Sequence, residues 1–219
     1  MPPRFPRKLR ADDPYADVRF LPGEHDQPLA VESLFPGATP STPIELEIGG
    51  GRGAFQYERL VAAPEACVLG LEIRKKWATN VDRKLHALGL AARGRCFAED
   101  ARLALPRLQP SERLRAVFLH FPDPWWKKKH EKRLVLGDVV QEEIERLLVP
   151  GGELFVQTDV DHRAEQYRAF LDQRGALVPH GDRAGDPSLV ENPYGARSPR
   201  EKRAIFDGLP IFRLRYVKQ

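Results

Sequence analysis

Along most of this chain the apolar positions switch between two spacings, and that switching predicts its elements. Strands are predicted at Ile44–Ile48, Cys67–Ile73, Arg95–Ala98, Arg115–Phe121 and Glu153–Thr158, of which Arg115–Phe121 is a short apolar run of the kind covered on both faces. Between them lie stretches with helical spacing: Ala54–Val61, Lys75–Leu88, Val135–Leu148 and Ala164–Leu171. In the second, Trp77, Val81, Leu85 and Leu88 share a face, and the third is closed by Pro150, Gly151 and Gly152. Strands alternating with helices predict an α/β fold with a doubly wound, mostly parallel sheet. Pro179–Pro199 reads as loop, and Ile211–Val217 alternates as a last strand. Residues 1–43 are rich in Pro, Arg and Asp and hold only short apolar islands such as Val31–Phe35. They are expected to be an N-terminal arm, partly disordered when free, ahead of one domain over residues 44–219.

Length and composition agree with one domain. With 219 residues, 42% of them hydrophobic, the chain supports one sizeable core and leaves little for a second. A formal charge of +4 is small, so any nucleic-acid surface has to come from local grouping. Only 10 of the 35 basic residues are Lys, yet Lys127, Lys128, Lys129 and Lys132 fall together beside His130 and Arg133. That run suits contact with a phosphate backbone, or forms a solvated helix face, since Glu131 interrupts it and Asp138 follows. Cys67 and Cys96 stand apart without metal-ligand spacing, which predicts reduced structural thiols in a cytoplasmic protein and no metal site. No apolar run reaches the ~18 residues of a membrane span, and the start MPPRFPRKLR has no apolar stretch behind it, so a soluble, unexported protein is expected.

The candidate chemistry gathers at strand ends, where ligands bind in open α/β sheets. Glu47-Ile48-Gly49-Gly50-Gly51-Arg52-Gly53 joins a strand to a helix, with Gly49, Gly51 and Gly53 as the positions where backbone approaches a ligand or serves the turn alone. Glu72 ends the next strand and is placed to accept from two ribose hydroxyls. An adenosine cofactor follows, either a nicotinamide dinucleotide or S-adenosylmethionine. Glu47 would repel a diphosphate and suits the ammonium and sulfonium of the latter. Glu99 and Asp100 end the third strand, Asp100 as a contact to adenine or as a helix cap. Asp123, between Pro122 and Pro124, is a site carboxylate or a turn residue. Trp125 and Trp126 stack on a base or pack the sheet edge. Asp159 orients a substrate or caps the next helix, and Arg197–Arg203 is a donor-rich segment or a flexible surface loop. The six His residues show no nucleophile–base spacing and read as structural or exposed.

Together, E-I-G-G-G-R-G at Glu47–Gly53, G-L-E-I at Gly70–Ile73, F-P-D-P-W-x-K-K-x-H-x-K-R at Phe121–Arg133, T-D at Thr158 and Asp159, and S-x-x-E at Ser198–Glu201 resemble the bacterial tRNA (guanine-N7)-methyltransferases. The resemblance runs from about Ile44 to the C-terminus. It implies the class I methyltransferase, Rossmann-like fold with an antiparallel C-terminal strand, S-adenosylmethionine as donor, and as acceptor a guanine of the tRNA variable loop, conventionally tRNA position 46. Carried over, Glu47, Glu72, Asp100 and Asp123 line the cofactor pocket beside the glycines, with Asp123 also at the reacting centre. Lys127, Asp159, Ser198 and Glu201 contact the substrate, while Lys129, His130, Lys132 and Arg133 face RNA. The partner is tRNA, and the enzyme acts as a monomer or a homodimer. The chain departs from the pattern at Ser198, usually Thr, at Trp126, often Pro or His, and at Gly50, commonly bulkier. A nicotinamide-dependent oxidoreductase and a non-catalytic RNA-binding module are the alternatives.

Overall fold

The computed structural model describes residues 12–122, 135–173 and 175–219. In chain order the elements are β1 (Leu29–Ala30), β2 (Ile44–Ile48), α1 (Ala54–Ala62), β3 (Cys67–Leu71), α2 (Lys75–Ala87), β4 (Gly94–Phe97), α3 (Ala101–Ala104), β5 (Leu108–Gln109) and β6 (Leu114–His120). There follow α4 (Asp138–Leu147), β7 (Leu148–Thr158), α5 (Asp161–Leu171), β8 (Leu177–Pro179), α6 (Pro199–Phe206) and β9 (Phe212–Lys218). Among the described residues the main sheet has seven strands in the order β4-β3-β2-β6-β7-β9-β8. The first five run parallel, β9 runs antiparallel to β7, as expected for the last strand, and β8 pairs antiparallel with β9.

Both faces are covered, which is why β2 and β3 are buried at every position. Ile44, Leu46, Ile48, Val117, Leu119, Leu154 and Val156 point to one side. There they join a core with Val140, Ile144 and Leu147 of α4 and Tyr167 and Leu171 of α5. The opposite side meets α1 and α2 through Val68, Leu60, Val81 and Leu85. Phe118 and Phe155 pack there with Phe55 and Tyr194. Each fully buried Leu or Phe of this kind contributes about 1.5–3 kcal/mol of transfer free energy.

Three features differ from the periodicity. Pro150-Gly151-Gly152 does not stand between a helix and a strand beginning at Glu153. Instead, β7 starts at Leu148, and its register with β6 jumps from Leu114↔Leu148 to Ala116↔Glu153, so Val149 to Gly152 bulge out. The stretch expected to be loop or surface segment before the last strand ends in α6, whose first turn is set by Pro199 after the Ser198 cap. Of the expected arm, residues 12–43 lie on the domain. Val31, Leu34 and Phe35 enter its core, β1 pairs with β5, and Glu32 forms an ion pair with Arg113. Residues 1–11 lie outside the described residues.

Candidate functional site

Because β4, β3, β2, β6 and β7 are parallel neighbours, their carboxyl ends share one rim. The described acidic residues expected from the strand ends lie along it: Glu47 in β2, Glu72 after β3, Glu99 and Asp100 after β4 and Asp159 after β7. At the glycine turn, Gly49, Gly51 and Gly53 take φ of 74°, 57° and 73°. A Cβ on Gly53 would meet Val81 Cγ2 at 2.7 Å, so this position serves the packing of α1 on α2 as well as the turn. A Cβ on Gly50 would lie 2.6 Å from Glu47 Oε2, so the third glycine of the turn leaves room for that carboxylate.

Glu72 ties the turn to the next strand. Its Oε2 accepts from Gly51 N–H at 2.9 Å and its Oε1 from Arg74 N–H at 2.8 Å. Burial pushes the carboxyl above its usual range, and the two N–H groups oppose that shift. Each carboxylate oxygen offers two acceptor sites, so both keep capacity for a further donor. Glu47 is 1% exposed. Its Oε1 meets His120 Nδ1 at 3.2 Å, and its Oε2 has no hydrogen-bond partner among the described residues.

The remaining expected residues are arranged less simply. Asp100 caps α3, accepting from Arg102 N–H at 3.0 Å and from its guanidinium. Glu99 is buried, accepts from Leu21 N–H at 2.9 Å and is pushed up by burial. Asp159 accepts from Arg200 Nε at 2.9 Å, which joins the end of β7 to α6. The Ser198–Glu201 motif is a helix start: Ser198 Oγ accepts from Glu201 N–H at 3.1 Å. The Glu201 carboxylate is fully buried, accepting from Asn192 at 2.9 Å and from Arg213 Nη2 at 3.1 Å. As placed, Glu201 presents no surface to a ligand, because its oxygens are engaged in holding α6 to β9. Asp123, Trp125, Trp126, Lys127, Lys129, His130, Lys132 and Arg133 lie outside the described residues.

Two residues on this rim were not anticipated. His120 ends β6 and Gln157 lies opposite it in β7, both buried, with His120 Nε2 and both Gln157 amide atoms unpartnered among the described residues. The available signal was a polar residue closing each apolar run, RAVFLH and ELFVQ. No described helix is long and apolar enough to cross a membrane.

Comparison with known proteins now adds to the geometry. A family described as putative methyltransferase matches residues 41–214. The tRNA (guanine-N(7)-)-methyltransferase of Myxococcus xanthus is 36% identical over 81% of this chain and 84% of its own. That of Anaeromyxobacter dehalogenans is 38% identical over 80% and 85%. In fold the chain is similar to an antibiotic-related methyltransferase, with a TM-score of 0.57 at 16% identity over 85% of this chain and 90% of that one. It is also similar to TrmN from Thermus thermophilus, with a TM-score of 0.56 at 18% identity over 81% of this chain and 44% of that one. With relatives of this identity aligned along most of both chains, on a sheet whose parallel strands end in a glycine turn flanked by Glu47 and Glu72, the chain belongs to the tRNA (guanine-N7)-methyltransferase family.

Proposed function

We propose that this methyltransferase takes S-adenosylmethionine as donor and methylates N7 of the variable-loop guanine of tRNA, position 46. The observation that carries the donor assignment is the pair of buried carboxylates, Glu47 and Glu72, on either side of the glycine turn. Two negative charges there disfavour the diphosphate of a dinucleotide and favour a ligand that brings a cation. Glu47 Oε2, buried beside Gly50 and without a partner among the described residues, fits an ammonium, and the remaining acceptor sites of Glu72 fit a ribose diol. When bound, the donor supplies an electrophilic methyl group.

Guanine N7 carries a free lone pair at neutral pH, so the protein has no proton to remove before transfer, and its contribution is mainly alignment. Asp123 accepts guanine N–H groups and stabilises the positive charge that develops on the purine. Asp159, fixed by Arg200, orients the base from the neighbouring strand end. Ser198 and Glu201 act at one remove, by capping and anchoring the helix that carries Arg200. Lys127, Lys129, His130, Lys132 and Arg133 bind the tRNA backbone. The test is to incubate the protein with labelled S-adenosylmethionine and unmodified tRNA, then map the modified base by mass. Label at the variable-loop guanine supports the reading; label elsewhere, or none, overturns it.

A further inference from the structure

Glu47, His120 and Gln157 belong to three adjacent parallel strands and sit at or next to their carboxyl ends. Below them this face of the sheet is aromatic. The Phe55 ring lies tilted with its centroid 4.2 Å from that of His120, with Phe118 stacked at 5.9 Å and Phe155 edge-on at 6.0 Å. A polar cluster closing an apolar layer is costly unless its atoms find partners, since a buried group without one has lost its water and gained nothing in return. Four atoms here have none among the described residues: Glu47 Oε2, His120 Nε2 and both amide atoms of Gln157. On the same face Glu45, by contrast, spends both carboxylate oxygens on Arg59 at 2.7 Å. The cluster at the rim leaves its capacity open towards the glycine turn, because the place of a Gly50 Cβ lies 2.6 Å from Glu47 Oε2.

The single internal contact of the cluster defines its logic. A carboxylate oxygen only accepts, so the 3.2 Å contact puts the ring hydrogen on His120 Nδ1. That hydrogen bond holds one oxygen of Glu47 down against β6 and turns the other up to the glycine turn. We propose that His120 is a positioning residue for the methyl donor: it acts through Nδ1, orienting Glu47 to receive the donor's ammonium group. The proposal rests on the S-adenosylmethionine reading above.

Two isosteric substitutions separate the ring nitrogens. His120→Asn keeps a donor at the place of Nδ1, whereas His120→Gln reaches the place of Nε2 and loses the Nδ1 donor. Affinity is measured by calorimetry for S-adenosylhomocysteine, which carries the ammonium, and for 5′-methylthioadenosine, which lacks the amino-acid moiety. We expect His120→Gln to lose roughly tenfold or more for the first ligand and nothing for the second, with His120→Asn close to wild type for both. Equal losses for both ligands, or no loss in His120→Gln, would overturn the proposal. A measurement on the wild type covers a variant that fails to fold: the ¹⁵N shifts of the His120 ring should report Nδ1–H and respond to S-adenosylhomocysteine but not to 5′-methylthioadenosine. An Nε2–H ring, or one that responds to both ligands alike, refutes it. Wild-type protein that binds no S-adenosylhomocysteine sinks the donor assignment itself, and the proposal with it.

Discussion

Replacing Glu72 by Ala removes an acceptor that serves the fold and the ligand at once. The carboxylate is 5% exposed and accepts two backbone N–H groups at 2.8 and 2.9 Å. Hydrogen bonds to a charged group contribute about 1.5–3 kcal/mol each, which sets a gross value of about 3–6 kcal/mol for the pair. Burial of the charge opposes this, as the raised carboxyl shows, and both N–H groups are in part-buried places where water replaces the lost acceptor. A net loss of about 2 kcal/mol in unfolding free energy is therefore expected for Glu72→Ala. The same change removes both hydroxyl contacts to the donor, so affinity for S-adenosylhomocysteine should fall roughly ten- to hundredfold. Glu72→Gln should lie between, because its amide oxygen satisfies one N–H while its NH₂ faces the other. Urea unfolding with and without S-adenosylhomocysteine, together with calorimetry, gives both quantities. A Glu72→Ala protein that unfolds early yet binds the ligand as the wild type does would reduce Glu72 to a brace for the glycine turn and refute its role in the pocket.

Other changes test separate parts of the account. Glu45→Ala strands Arg59, which is 6% exposed and bonded to both carboxylate oxygens and to Tyr194 O, so unfolding free energy should drop by about 3–5 kcal/mol in a denaturant titration. Glu99 binds its proton more tightly folded than unfolded. The stability it adds is thus present below the ordinary value of 4.5 and is lost as pH rises through the folded value. Glu99→Gln keeps an acceptor for Leu21 N–H, so it should flatten the fall in stability measured from pH 4.5 upward; an unchanged slope would count against the buried charge. Replacing Lys128, Lys129 and Lys132 together by Ala should flatten the salt dependence of tRNA affinity by roughly 0.7–0.9 log units per lost phosphate contact for each tenfold change in salt. Parallel slopes would make the run a solvated helix face.

Much of the fold was legible because parallel strands buried on both faces appear as apolar runs, and Cys67–Leu71 is of that kind, while Ile44–Ile48 is buried throughout although Glu45 and Glu47 interrupt it. The glycine turn was legible from its clustered glycines between a strand and a helix, and Glu72 from its place at the end of the next strand. Less was readable where tertiary contact decides. Val31 and Leu34 lie three apart in a single short turn, too brief for a period to emerge, yet both fill the core. The bulge at Val149–Gly152 depends on β6 alongside it, which no local pattern encodes. Ser198 followed by Glu201 carries the signature of a helix start, but its resemblance to a substrate-binding motif drew attention from that meaning. His120 and Gln157 resemble chance polar residues until the sheet register sets them side by side beneath the turn.

The central claim is methylation at one atom, N7 of one guanine in tRNA. Two tRNA transcripts differing only in 7-deazaguanosine at the variable-loop guanine, each incubated with the protein and labelled S-adenosylmethionine, test it most directly. The account predicts one methyl group in the transcript with guanine and none in the transcript whose base has carbon in place of N7. Equal labelling of both would contradict it.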